Sequence, residues 1–507
     1  MLVAGIDSST QSTKVELREV DTGTVVAAGR AAHPPADPPR SEQDPRAWWR
    51  ALVEALSQCG PHVGEVAAVS VAGQQHGLVV LDRAGEPVRP AKLWNDTTSA
   101  PQAAELVERL GAVGWAAACG SVPVASFTVT KLAWLAQHEP GAVARIARVA
   151  LPHDYLTGRL TGEHATDRGD ASGTGWYDTA AGRYRADLLD LVGGRSGAEW
   201  IEALPEVRAF DAAAGRVTPS ASAATGLPEG IPVGAGTGDN MAAALGMGLG
   251  PGDVAVSLGT SGTAYAVSAT PTHDATGAVA GFCDAAGAFL PLVCTLNATR
   301  VTDAVARWLG LDRGQFATAA LSSPPGAGGA VMVPYLDGER TPNLPEAAGS
   351  LYGLGFDTSP ADLARASHEG VVCALLDGVD ALAEAGASVG GRLNLVGGGA
   401  RSPAYRQIAA DCWGAPVRVP DAEEAVATGA CVQAAQHVGL SLSGATEAWG
   451  LGAGDDVEPA RGADAAAARA AYRQAAAATA ASLAATPAGT AVEATTGGRS
   501  GRSGSPT

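Results

Sequence analysis

Gly5-Ile-Asp7-Ser-Ser-Thr10-Gln-Ser-Thr-Lys14 near the start of the chain and Ser257-Leu-Gly-Thr260-Ser-Gly-Thr263 past its middle share one design. Each follows a short apolar run, Leu2 to Ile6 or Val254 to Leu258. Each then turns through small hydroxyl residues and resumes as a strand, Lys14 to Val20 or Ala264 to Ser268. Backbone N–H groups in such turns suit phosphate oxygens. Neither turn is a Walker A loop, because no G-x-x-x-x-G-K-[ST] string occurs. Alone, Asp7-Ser-Ser is an ordinary Asx-turn. One such turn leading each half reads as a duplication, two related α/β domains facing one another.

The intervening pattern fits that reading. Asp44 and Pro45 open a helix carrying Trp48, Leu52 and Leu56 at helical spacing. Val66 to Ala72 is a buried strand that ends in Gly73-Gln74-Gln75-His76-Gly77. In the second half, Ser359 and Pro360 begin a long helix. Leu393 to Val396 is a strand, followed by Gly397-Gly398-Gly399-Ala400-Arg401-Ser402 and a helix over 403–413. The expected organisation is an N-terminal domain over 1–248, a nucleotide-binding C-terminal domain over 249–440, a helical extension over 441–486, and a disordered tail over 487–507, where Gly, Ser and Thr dominate.

At 507 residues, 46% of them hydrophobic, the chain has material for several cores. Its formal charge of -18 argues against a nucleic-acid partner. No apolar run reaches membrane-spanning length, and no secretory signal opens the chain. Seven scattered cysteines without a C-x-x-C pair predict reduced thiols and a cytoplasmic location.

The chemistry-bearing residues lie at strand ends. Ile231-Pro-Val-Gly-Ala-Gly-Thr-Gly-Asp239-Asn240 reads as a strand that stops at a tight loop and presents Asp239. Asp239 is the candidate general base for transfer of a phosphoryl group to a hydroxyl; as a mere helix N-cap it would have a structural role only. Asp7 beside hydroxyls suits a hydrated Mg²⁺ held against ATP phosphates. Gln75 and His76, with Trp94-Asn95-Asp96, offer the amide, imidazole and aromatic groups that bind polyols. Read singly, each is a capped turn or a packed tryptophan. Gly398 and its neighbours allow close approach of a nucleotide, or serve as a flexible strand-to-helix turn.

Taken together, these segments resemble the FGGY carbohydrate kinases. The match runs in order through Met1 to Lys14, Ser41 to Pro45 with Trp48-Trp49, Gly73 to Gly77, Leu93 to Asp96, Gly236 to Asn240, Ser257 to Gly262, Pro334 to Pro342 and Val396 to Ser402. Within the family, the pattern is most similar to the members acting on D-xylulose. The resemblance implies two actin-like (ribonuclease-H-like) ATPase domains with the active site in the cleft between them. It implies ATP and Mg²⁺, with D-xylulose converted to D-xylulose 5-phosphate and a homodimer as a family-level expectation. It implies Asp239 as catalytic base and Asp7 as the catalytic carboxylate for metal and phosphate. Gln75, His76, Trp94, Asn95 and Asn240 would line the sugar site. Thr10, Ser12, Lys14, Gly259, Thr260, Ser261, Gly398, Gly399 and Ala400 would hold the nucleotide. The chain departs from the family at Ser9, commonly Gly, and at Gln75, often Met.

Competing readings are a kinase for ribulose, gluconate or glycerol, an actin-like chaperone ATPase, and an inactive sugar sensor. A chaperone needs no base aimed at a sugar hydroxyl, so Asp239 and the Gln75-His76 turn discriminate.

Overall fold

The computed structural model describes residues 1–485, with side chains through Leu483, so the tail expected at 487–507 lies outside the described residues. Leu2–Ser8 (β1), Ser12–Glu19 (β2) and Val25–Ala32 (β3) form an antiparallel meander. Helix α1 (Pro45–Gln58) follows, its first turn capped by the Asp44 carboxylate accepting from the Arg46 N–H. Trp48, Leu52 and Leu56 face the core at the helical spacing the sequence carries. The chain returns as Val66–Gly73 (β4), parallel to β1. Ala213–Arg216 (β5), Pro232–Gly234 (β6) and Thr237–Gly238 (β7) complete a sheet of order β5-β6-β4-β1-β2-β3, with β7 also pairing β4.

The second sheet repeats the plan. Helix α2 (Asp239–Gly246) leads out of the first lobe. Val254–Leu258 (β8), Gly262–Ala266 (β9) and Leu292–Thr295 (β10) form the meander. The crossover includes α3 (Pro360–Glu384), opened by a capping box between Ser359 and Asp362. Leu393–Val396 (β11) returns parallel to β8. After α4 (Pro403–Trp413), Val417–Pro420 (β12) and Gly454–Val457 (β13) finish the order β10-β9-β8-β11-β12-β13. A meander followed by a parallel return leads both halves, as the paired turns predict.

Helix α5 (Ala425–Gln436) has no counterpart in the sequence reading. It is apolar nearly all round and therefore lies between structures rather than on a surface. Its faces touch β1, β4 and α2. The α2–α5 crossing is glycine-mediated. A Cβ on Gly429 would stand 1.8 Å from the Ala242 carbonyl oxygen, and one on Gly246 1.9 Å from that of Ala425. Polar links reinforce the joint. Lys14 donates to Glu424, Arg18 to Thr428 and Ser70 to Gln433, while Trp449 donates to the Val20 carbonyl.

Two expectations change. The segment from Glu424 to Trp449 is built onto the first sheet, although in the chain it lies between β12 and β13 of the second. The extension over 441–486 is not wholly helical, because Gly454–Val457 pairs antiparallel with β12 before the final helix Ala465–Ala485. This short edge strand carries Asp455 and Asp456 and has no apolar alternation to reveal it.

Candidate active site

Asp7, the last residue but one of β1, is buried opposite Lys14 on β2. Its Oδ1 accepts from the Ser9 hydroxyl at 2.5 Å, and its Oδ2 lies 3.9 Å from Lys14 Nζ. The Ser9 N–H donates to the Ser12 carbonyl, which closes the turn. The Ser12 side chain is buried and its hydroxyl accepts from Arg30, so this residue shapes the turn from behind. Thr10 faces the other way. Its hydroxyl donates to Gln74 Oε1 at 3.1 Å and accepts from Trp94 Nε1 at 2.9 Å. The Trp94 indole is thereby tied to the phosphate-type turn while part of its ring stays exposed. Asn95 Oδ1 is buried without a hydrogen-bond partner among the described residues.

Asp239 is the first residue of α2, where the N-terminal end of the helix favours a carboxylate. Its Oδ1 accepts from the Asn240 N–H at 2.8 Å and from Asn240 Nδ2 at 3.0 Å. The same amide donates to Gln75 Oε1 at 2.6 Å. Asn240 thus joins Asp239 to the Gln75–His76 turn, and Asp239 Oδ2 accepts from no described residue. Burial raises the Asp239 carboxyl to about 7, and the Asp7 charge adds to the rise. Burial likewise raises Asp7 to about 6 against the lowering effect of Ser9 and Lys14. Two carboxylates in one desolvated crevice leave a deficit of positive charge. A divalent cation would offset it, and one carboxylate plus substrate phosphates is an ordinary Mg²⁺ donor set. No group of three or more His, Cys, Asp or Glu side chains among the described residues forms a closed metal cage.

The second lobe supplies backbone. Thr260 and Ser261 are exposed at the β8–β9 turn. The Gly259 carbonyl accepts from the N–H and hydroxyl of Thr299. The Gly397 turn lies against the same strand end. A Cβ on Gly399 would come within 2.7 Å of Leu258 Cβ, whereas one on Gly398 would meet nothing within 4 Å. Gly399 is therefore small for packing, and Gly398 fronts open space. Ala400 is buried beneath, its carbonyl accepting from Arg406. These two turns adjoin each other and share no hydrogen bond with Asp7 or Asp239 among the described residues.

The residues match the FGGY family of carbohydrate kinases, its N-terminal domain over 2–246 and its C-terminal domain over 254–437. The chain belongs to the FGGY family of carbohydrate kinases. It is 51% identical to a xylulose kinase of Streptomyces coelicolor over 457 residues, 89% of this chain and 92% of that one. A xylulose kinase of Escherichia coli is 37% identical over 81% of this chain and 84% of its own. The crystal structure of xylulose kinase from Bifidobacterium adolescentis superposes with a TM-score of 0.83 at 42% identity, covering 94% and 99% of the two chains. This is the two-domain, actin-like fold the motifs imply, and membership of a kinase family entails use of ATP.

The FGGY kinase also holds site neighbours that the motif reading passed over. Arg340, half-buried in the loop that follows the strand Val331–Val333, makes no side-chain hydrogen bond or ion pair among the described residues, yet its charge bears on His76, Lys131 and Cys294. Lys131 is fully buried and donates to the carbonyls of Ala125, Ser126 and Phe127. Arg340 lies within the Pro334–Pro342 string, so a lone cation beside Glu339 was the available signal. Lys131 gave none, since it sits in a helix pattern where lysine is normally solvated. The Ser9 departure places a hydroxyl on Asp7, and the Gln75 departure supplies the acceptor that holds Asn240.

The raised Asp239 carboxyl has a pH consequence. Acting as a general base, Asp239 would have to be ionised, so kcat/KM would rise with pH through an apparent pKa near neutrality and level off above it. Initial rates at subsaturating sugar over pH 5 to 9 measure this, and a profile already flat at pH 5 contradicts it.

Proposed function

We propose that this kinase transfers the γ-phosphoryl group of ATP to the 5-hydroxyl of D-xylulose, giving D-xylulose 5-phosphate and ADP. The observation that carries the reading is Asp239, whose free Oδ2 and near-neutral carboxyl lie beside the Gln75–Asn240 bridge. The attacking oxygen forms the new P–O bond as the bond to the ADP oxygen breaks, and its proton passes to Asp239. A base near neutrality is suited to accept that proton and then release it to water. Gln75, His76, Asn240, Trp94 and Asn95 orient the ketose. Thr10, Ser12, Lys14 and the turns at Gly259, Thr260, Ser261 and Gly398, Gly399, Ala400 orient the nucleotide.

Asp7 would hold Mg²⁺ with the ATP phosphates, and the ion would neutralise charge on the transferring group. Lys14, now paired with Glu424, is placed to exchange that partner for a phosphate oxygen. The two lobes correspond to 1–248 and 249–440, with the amendments given above. Seven free cysteines support a reducing, cytoplasmic setting.

A coupled ADP-release assay with D-xylulose, D-ribulose, L-ribulose, gluconate and glycerol tests the assignment. The expected result is the highest kcat/KM for D-xylulose. Preference for another acceptor reassigns the substrate, and ATP turnover indifferent to all five removes the sugar-kinase reading.

A further inference from the structure

His76 is one of two non-glycine residues with positive φ among the described residues, at 63°. A left-handed backbone is costly for such a side chain and persists only where neighbours over-determine it. Three elements do so here. The His76 N–H donates to Asp170 Oδ1 at 3.3 Å, and its carbonyl accepts from the Thr128 hydroxyl at 3.2 Å. The ring stacks on Phe127 at 5.6 Å and meets Phe282 at 5.0 Å between centroids. Gly173 underlies it so closely that a Cβ there would stand 1.8 Å from His76 Cε1. His76 Nδ1 lies 3.6 Å from Asp170 Oδ1 and has no hydrogen-bond partner among the described residues.

Asp170 is itself fully buried and backed by His153, Asp154 and Asp167. His153 Nε2 lies 3.2 Å from Asp154 Oδ1, and 3.5 Å from both Asp167 Oδ1 and Asp170 Oδ2. Asp167 accepts from the Thr237 hydroxyl and from the N–H groups of Gly169 and Asp170, the donor set of an ionised carboxylate. Asp170 Oδ2 and both His153 ring nitrogens have no hydrogen-bond partner among the described residues. Three carboxyls in one buried site repel one another, which disfavours all three being charged together. Burial and the neighbouring carboxylates raise Asp170 well above the usual range, and burial keeps His153 neutral. Asp170 Oδ2 faces His153, while Oδ1 faces His76 and accepts from its N–H.

We propose that Asp170 is the positioning residue of the sugar-binding turn, holding the left-handed backbone of His76 and fixing its ring as the Nδ1–H tautomer, so that Nε2 accepts a hydrogen bond from a sugar hydroxyl. The buried His153–Asp154–Asp167 group holds Asp170 in turn. This rests on the reading of His76 as a sugar contact. The same network reaches Thr237, two residues before the base, so both sides of the sugar site are set from one buried node.

The test combines kinetics with nitrogen NMR of ¹⁵N-histidine-labelled enzyme, the His76 signal being assigned by its loss in His76→Ala. Wild-type enzyme should show neutral His76 protonated at Nδ1. Asp170→Asn keeps an acceptor for the backbone but presents an amide to the ring. It should move His76 to the Nε2–H form and raise KM for D-xylulose about tenfold or more, with KM for ATP little changed. Gly173→Ala, which displaces the ring and spares Asp170, should raise the same KM. A wild-type Nε2–H tautomer overturns the proposal even if Asp170→Asn fails to fold. So does an unchanged sugar KM in both folded variants alongside a raised one in His76→Ala. If His76→Ala itself leaves the sugar KM unchanged, the sugar-contact reading fails first and the proposal falls with it.

Discussion

Asp239→Asn is expected to lower kcat for sugar phosphorylation by about 10²–10⁴-fold, or roughly 3–5 kcal/mol of barrier, while ATP still binds. The substitution is nearly isosteric and keeps an oxygen for the Asn240 donors, so what it removes is the proton acceptor. Stability should move the other way. The folded-state pKa of Asp239 is raised, so the folded protein binds more protons than the unfolded chain between the ordinary carboxylate value and about 7. Its stability therefore falls as pH rises through that interval, and the penalty is complete above it. Replacing Asp239 should thus stabilise the protein at pH 8 by on the order of 2 kcal/mol, with the gain fading toward pH 4. Single-turnover rates, ATP titration and thermal melts at the two pH values measure these effects. Near-normal turnover, or a variant less stable at pH 8, contradicts the assigned environment.

The second large effect concerns the joint between lobes. Gly429→Val puts branched carbon where a Cβ alone would lie 1.8 Å from the Ala242 carbonyl oxygen. The obstacle is helix backbone, which cannot swing aside as a side chain can. Overpacking of this kind costs about 3 kcal/mol or more. Because α2 begins with Asp239, forcing α2 from α5 also displaces that carboxylate. Thermal midpoint and kcat should fall together, with Gly429→Ala intermediate. A Gly429→Val enzyme that melts and turns over like the wild type would show that the α2–α5 contact is not the joint described here.

Much of the fold was legible because its signals are local. Asp44-Pro45 and Ser359-Pro360 are helix starts that depend on neighbouring residues only, and both helices begin there. The Gly/Ser/Thr turns after β1 and β8 stand in matching places in two sheets of similar order. Helix α5 was not legible, because Ala-Val-Ala-Thr-Gly-Ala has no polar face to mark a period. Its burial is decided by β1, β4 and α2, all distant in the chain. β13 escaped for the opposite reason, since its residues are polar and its pairing is its only strand-like feature.

The site divides similarly. Strand ends pointed to Asp7, Gln75 and Asp239, whose placement depends on short local turns. Asp170, Lys131 and Arg340 acquire their environments from tertiary packing. A lysine in a helical pattern or an aspartate after Arg168-Gly169 looks solvated until the fold encloses it. The Ser9 and Gln75 departures became interpretable only with their partners, the Asp7 carboxylate and the Asn240 amide, in place.

The most direct test of the account is a crystal structure of the enzyme with D-xylulose and a non-hydrolysable ATP analogue. The expected geometry has a carboxylate oxygen of Asp239 within roughly 2.6–3.2 Å of the sugar's 5-hydroxyl, with that hydroxyl facing the terminal phosphorus in line with its leaving oxygen. A closed complex in which Asp239 points away from the sugar, or in which the ketose lies outside the crevice, contradicts the mechanism.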